Sequence, residues 1–164
     1  MDEKVEKNFL DLLEKNQKII HKICRIYSNE EEYKDLFQEI VIQLWKSYSS
    51  FKGESKFTTW MYSVSLNTAM SLFRKVKKHE TNINIELVQD KIKHDEINDD
   101  DEIKVKKMYQ AIHQLNDVDK ALIMMYLDDK DYSEISRILG ITEGNARVKM
   151  NRARNKLKQL IKNR

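Results

Sequence analysis

A chain of 164 residues holds one domain or two small ones, and 35% charged against 40% hydrophobic residues allows cores beneath a dense ionic surface. With no proline and only 3 glycines, helix breakers are scarce, which argues against a turn-rich β architecture and for long amphipathic helices. One cysteine, Cys24, excludes an internal disulfide, and the net charge of +3 conceals a very uneven distribution.

The first helix is expected over 5–27, where Phe9, Leu12, Leu13, Ile20, Ile23, Cys24 and Tyr27 recur at spacings of three and four. Cys24 reads as an ordinary buried thiol among them. A polar break at Ser28 to Glu32 follows, with Glu30 to Glu32 suited to the first turn of the next helix. That second helix, Tyr33 to Tyr48, carries a wide apolar face of Leu36, Phe37, Ile40, Val41, Leu44, Trp45 and Tyr48, wide enough for a core and a partner together. The loop SSFKGESKFT, Ser49 to Thr58, is broken at Gly53 and bracketed by Phe51 and Phe57. A third helix, Thr58 to Lys77, ends in the cations Arg74, Lys75, Lys77 and Lys78. Aromatic rings beside Lys, Ser, Thr and Asn suit stacking on unpaired bases; the same rings at helical spacing also suit a core.

Residues 79–103 carry no sustained period. From Glu80 to Glu102 there are nine acids against two lysines, a balance of −7. The segment reads as a flexible acidic linker, with a short helix expected near Glu86 to Ile92. Beyond it, Val105, Met108, Ile112 and Leu115 give one helix face; Asn116 to Asp119 caps the next helix, whose core face is Leu122, Ile123, Met125, Tyr126 and Leu127. Asp128 to Asp131 is a charged loop.

Tyr132 to Arg154, YSEISRILGITEGNARVKMNRAR, reads as two helices joined by a tight turn. Gly140 ends the first helix in a conformation that glycine takes without strain, and Thr142 caps the second. Ala146, Met150, Ala153, Leu157, Leu160 and Ile161 form a buried stripe. Residues 132–164 hold nine Lys and Arg against two Glu, a balance of +7. A helix dry on one side and cationic on the other, set behind such a turn, fits a helix-turn-helix that enters a DNA major groove. The fold expected is all-α: two small helical domains, 1–78 and 104–164, joined by the flexible acidic linker 79–103. The second is a helix-turn-helix (winged-helix-like) DNA-binding domain.

The stretches DLFQEIVIQLW (Asp35 to Trp45), FKGESKFTTWMYSVSLNTA (Phe51 to Ala69) and YSEISRILGITEGNARVKMNRAR, in this order, resemble the bacterial RNA polymerase sigma factors of the sigma-70 family, in particular the extracytoplasmic-function (ECF) group. The resemblance implies an N-terminal region 2 that binds the clamp helices of the polymerase's largest subunit and captures the melted minus-ten strand. It implies a C-terminal region 4 that binds the minus-thirty-five duplex and touches the polymerase flap. Carried over by position, Asp35, Leu36, Glu39 and Trp45 are polymerase-binding. Phe51, Lys52, Gly53, Glu54 and Ser55 cradle a flipped minus-ten base, Thr59 and Trp60 lie at the melted junction, Asn67 reads the strand, and Arg74, Lys75, Lys77 and Lys78 track phosphates. For Asn67, a buried amide bonded to backbone is the alternative. Arg147, Val148, Lys149 and Arg152 hold the duplex-reading positions, with Lys149 and Arg154 also suited to phosphates. Val148, Asn116, Asn145 and Ala146 depart from the family's usual residues, which leaves the base preference open.

The partners implied are core RNA polymerase, promoter DNA and an anti-sigma factor. No cofactor, metal set or catalytic constellation is recognisable, so catalysis is not expected; no apolar run suits a membrane span or a signal segment, so a cytoplasmic location is expected. The alternative reading is a stand-alone helix-turn-helix transcriptional regulator.

Overall fold

In the computed structural model, residues 2–80 and 99–163 are described, and they form helices with no strand among them. The helices are α1 (Glu3–Tyr27), α2 (Glu30–Tyr48), α3 (Phe57–Glu80), α4 (Asp99–His113), α5 (Asp117–Leu127), α6 (Tyr132–Leu139) and α7 (Glu143–Lys162). The helix expected near Glu86 to Ile92 lies outside the described residues. Without strands, the helix-turn-helix carries no β wing among the described residues.

Local chemistry sets where most helices begin. Asp2, Asn29, Asn116, Asp131 and Thr142 each cap a helix with a side-chain oxygen that accepts from a backbone N–H of the first turn. Glu30 to Glu32 lie in the first turn of α2, so this helix starts ahead of the expected Tyr33. Helix α4 likewise starts at Asp99, inside the segment read as linker.

Helices α1, α2 and α3 bury Ile20, Ile23, Ile40, Leu44, Met61 and Leu66 against one another, and α4 to α7 do the same with Ile112, Leu122, Met125, Ile135 and Met150. Cys24 is fully buried, and burial pushes its thiol up to about 12. Several residues read as lying on a buried face are exposed instead: Val105, Tyr126, Leu127 and Ile161. Ile161 lies in the last turn of α7, and Tyr126 and Leu127 close α5 at the surface.

The buried apolar residues of the two halves form one continuous cluster, and polar contacts join the halves along a seam where α3 packs on α5 and α6. Asp128 accepts from the Tyr62 hydroxyl on one carboxylate oxygen and from Lys22 on the other. Arg74 donates to the Asp117 carboxylate, and the Tyr27 hydroxyl donates to the Asp117 backbone carbonyl. Thr59 donates to Glu134 at 3.3 Å, and Lys130 donates to the same carboxylate oxygen at 3.0 Å. Lys120 is 2% exposed, with its ammonium 4.3 Å from the Phe73 ring centre and 5.8 Å from that of Tyr27. Burial, helped by the charge of Lys77 and opposed by Asp117, lowers Lys120 to about 8.

Candidate nucleic-acid interface

The chain from Ser49 to Lys56 has no regular structure, and Gly53 at its apex takes φ +72°, a left-handed conformation open to glycine without strain. The loop folds back on the start of α3. Phe51, Phe57 and Trp60 form a ring cluster, with centres 5.1 Å apart for Phe51–Trp60 and 5.4 Å for Phe57–Trp60. Tyr48 completes it, 6.2 Å from Trp60. Above these rings lies an open concavity of about 290 Å³ lined by Ser50, Phe51, Lys52, Glu54, Ser55 and Trp60. Trp60 and Phe51 are half-buried, so they serve the cluster and still face the concavity. The structure therefore brings the residues expected at a flipped base into one place, apolar beneath and polar at the rim.

Trp60, Asn67 and Arg74 are seven residues apart along α3. At about 100° per residue they stay within about 40° of one another, a stripe roughly 21 Å long. Asn67 is exposed, so the reading of a buried amide does not hold. Thr59 faces elsewhere. It is 6% exposed and turned to Glu134 across the seam. Arg74 is exposed, but its guanidinium is engaged by Asp117. Two residues assigned to promoter contact from the sequence thus hold acids of the other half.

On α2, Leu36 is 6% exposed and belongs to the core, which leaves little of it for a partner. Trp45 is half-buried against Phe9, ring centres 4.9 Å apart. Asp35 is exposed, and Glu39 is half-buried and accepts from Gln43 at 2.8 Å. Ile42, which the sequence reading passed over, is 45% exposed. It continues the line of Asp35 and Glu39 at helical spacing, and an apolar side chain kept on that acidic line is the signal that could have found it.

In the helix-turn-helix, Gly140 takes φ +66° and ends α6. The Ser136 hydroxyl donates to the Ile141 carbonyl at 2.6 Å, and Thr142 accepts from the Asn145 N–H at 3.1 Å to start α7. The turn is locked on both sides, which fixes the angle of α7. Ala146, Met150 and Ala153 are buried, the small residues allowing close approach to the helices beneath. Val148 is 51% exposed, Arg147 and Arg152 are exposed, and Lys149 and Arg154 are half-buried. Two ring partners escaped the sequence reading: the Arg147 guanidinium lies 4.5 Å from the centre of Tyr132, and that of Arg154 lies 4.5 Å from Tyr126.

Two family models match this chain, Sigma-70 region 2 over residues 12–79 and Sigma-70, region 4 over residues 106–157. Among curated relatives, the ECF RNA polymerase sigma factor SigW of Bacillus subtilis is 26% identical over 94% of this chain and 89% of its own length. The ECF RNA polymerase sigma-E factor of Haemophilus influenzae is 26% identical over 95% of this chain and 88% of its own length. The fold is shared with the sigma factor RpoE of Bartonella quintana, solved with the anti-sigma factor NepR, at a TM-score of 0.76 and 20% identity over 95% of this chain and 98% of that one. It is also shared with CnrH, solved with the cytosolic domain of CnrY, at a TM-score of 0.68 and 16% identity over 96% of this chain and 89% of that one. The region 2 and region 4 matches, in order and across most of the sequence, together with the relatives' names, lead to one conclusion: the chain belongs to the sigma-70 family of RNA polymerase sigma factors, in its ECF group.

Proposed function

We propose that this protein binds core RNA polymerase and directs promoter-specific transcription initiation, with region 2 taken as 1–78, the linker as 79–103 and region 4 as 104–164. The observation that carries the reading is the pairing of two different nucleic-acid surfaces in one chain. One is an aromatic-floored concavity with a polar rim, shaped for an unstacked base. The other is a capped basic helix, shaped for duplex. A stand-alone regulator has use for the second surface only.

In this reading Phe51, Lys52, Gly53, Glu54, Ser55 and Trp60 receive a flipped base of the minus-ten element, and Asn67 and Arg74 follow the strand along α3. Unstacking a base costs a few kcal/mol, and stacking returns about 1–3 kcal/mol per base, so a captured base of the right identity decides whether the duplex opens. The chain acts by binding and carries out no catalysis itself; synthesis is the work of the polymerase. Thr59 and Arg74 reach promoter DNA only after Glu134 and Asp117 release them.

Polymerase docks on α2 through Asp35, Glu39, Ile42 and the exposed edge of Trp45, an acidic line around an apolar spot. The partners are thus core polymerase, promoter DNA and an anti-sigma factor that competes for these surfaces, and the site of action is the cytoplasm. No described helix is long and apolar enough to cross a membrane. The test is co-purification with core polymerase. Ile42→Arg should reduce holoenzyme formation while leaving thermal stability unchanged, because Ile42 is at the surface; full retention of binding by Ile42→Arg and Glu39→Lys together would reject α2 as the docking element.

A further inference from the structure

The second helix of the helix-turn-helix divides its cations between a face and two flanks. Measured from the buried side of Ala146, Met150 and Ala153, the away-facing residues are Gly144, Val148, Asn151, Arg152 and Asn155, and of the four positions carried over as duplex-reading only Val148 and Arg152 are among them. Arg147 and Arg154 sit roughly 90° round from the core, on one flank and two turns apart. Lys149 and Lys156 occupy the opposite flank, where the Lys156 ammonium lies 4.0 Å from Asp119. A helix seated in a major groove has bases in front of it and one phosphate backbone on each side.

The first flank is held in place. The Arg147 guanidinium stacks on Tyr132 and that of Arg154 on Tyr126, both at 4.5 Å. Tyr132 is the first residue of α6, and the first helix of a helix-turn-helix is the one that crosses the DNA backbone. A guanidinium resting on that ring is therefore drawn back from the base edges and offered to the phosphates. The stack also limits the rotamers of a long side chain before DNA arrives, so less freedom is lost on binding.

We propose that Arg147 and Arg154 are phosphate contacts set by two positioning residues, Tyr132 and Tyr126, and that base reading in the upstream element falls to Val148 and Arg152. This rests on the assignment of α7 to duplex DNA under Proposed function. It moves Arg147 from a reading role to a placing role and gives the two tyrosines a role in DNA binding.

The test uses holoenzyme assembled from the full chain and core polymerase, on a promoter duplex and on every single base-pair substitution of its upstream element. Affinity is measured over a series of salt concentrations. Arg147→Ala should weaken binding by the same factor on every duplex and lower the log–log salt slope by about 1. Arg152→Ala should instead change the order of preference among duplexes. Tyr132→Leu should cost about two- to fivefold, the exposed cation–π range, evenly across duplexes. Tyr132→Phe should restore the loss, and in an Arg147→Ala background Tyr132→Leu should cost nothing further. A base preference altered by Arg147→Ala, or an equal Tyr132→Leu loss in both backgrounds, would overturn the proposal. A holoenzyme in which neither Arg147→Ala nor Arg152→Ala affects duplex binding would overturn the assignment of α7 itself.

Discussion

Asp128 closes the seam between the two halves, and its removal tests how firmly they are joined. Tyr62 is 3% exposed and gives its hydroxyl to this carboxylate. Asp128→Ala leaves that buried hydroxyl without its acceptor, a loss of about 1–3 kcal/mol. The Lys22 side chain is 49% exposed, so its pair with Asp128 adds at most about 1 kcal/mol. The expected total is about 2 kcal/mol, which in a chain of this size lowers the melting temperature by roughly 4–8 °C. Thermal unfolding followed by circular dichroism on the full chain measures it. Tyr62→Phe removes the donor along with the need for the acceptor, so Tyr62→Phe with Asp128→Ala should cost clearly less than the two separate losses combined. A melting temperature for Asp128→Ala within about 1 °C of the unmodified protein, or strict additivity in the pair, would refute a seam held by this bond.

Three further outcomes follow from single residues. Gly140→Ala should destabilise by roughly 1 kcal/mol in chemical denaturation, since a Cβ there meets no neighbour and the cost is the left-handed backbone alone; Asn should cost less. Lys120 has its folded value lowered to about 8 from 10.5, so the charged form is the disfavoured one when folded. Its contribution to stability is complete above pH 10.5 and is lost as pH falls toward 8, and Lys120→Met should raise stability at pH 7 and flatten that rise in denaturant titrations across the window. Trp60→Ala should reduce promoter opening by the equivalent of about 1–3 kcal/mol, read as permanganate reactivity of minus-ten thymines in holoenzyme, with Trp60→Phe intermediate.

The helix-turn-helix was legible because its signals are local. Gly140, Thr142 and the basic stripe occupy adjacent positions, and each acts within one turn of itself. The aromatic loop was legible in composition, though its shape depends on φ +72° at Gly53 and on rings closing over from Tyr48. The seam was not legible. Asp128 meets Tyr62 and Lys22, and Asp117 meets Arg74, across separations that leave no periodic trace in sequence. The acids read in sequence as a loop and a cap are therefore also the cement between the halves. Leu36 and Ile42 show a second limit. A broad apolar face on α2 does not say which edge points outward, and the packing of α1 and α3 puts Leu36 inside and Ile42 out. Tyr126 fell the same way: an apolar run at the end of α5 reads as core until Arg154 is seen lying on the ring.

The most direct test of the central claim is transcription by core polymerase on a genomic DNA library, with and without this protein, and start sites mapped by sequencing. New start sites that share two spaced upstream motifs are expected. With Arg152→Ala, preference should relax in the distal motif only; with Trp60→Ala, yield should fall without any change in that motif. Start sites that are the same with and without the protein, or a single shared motif bound equally well by the protein without polymerase, would contradict that claim.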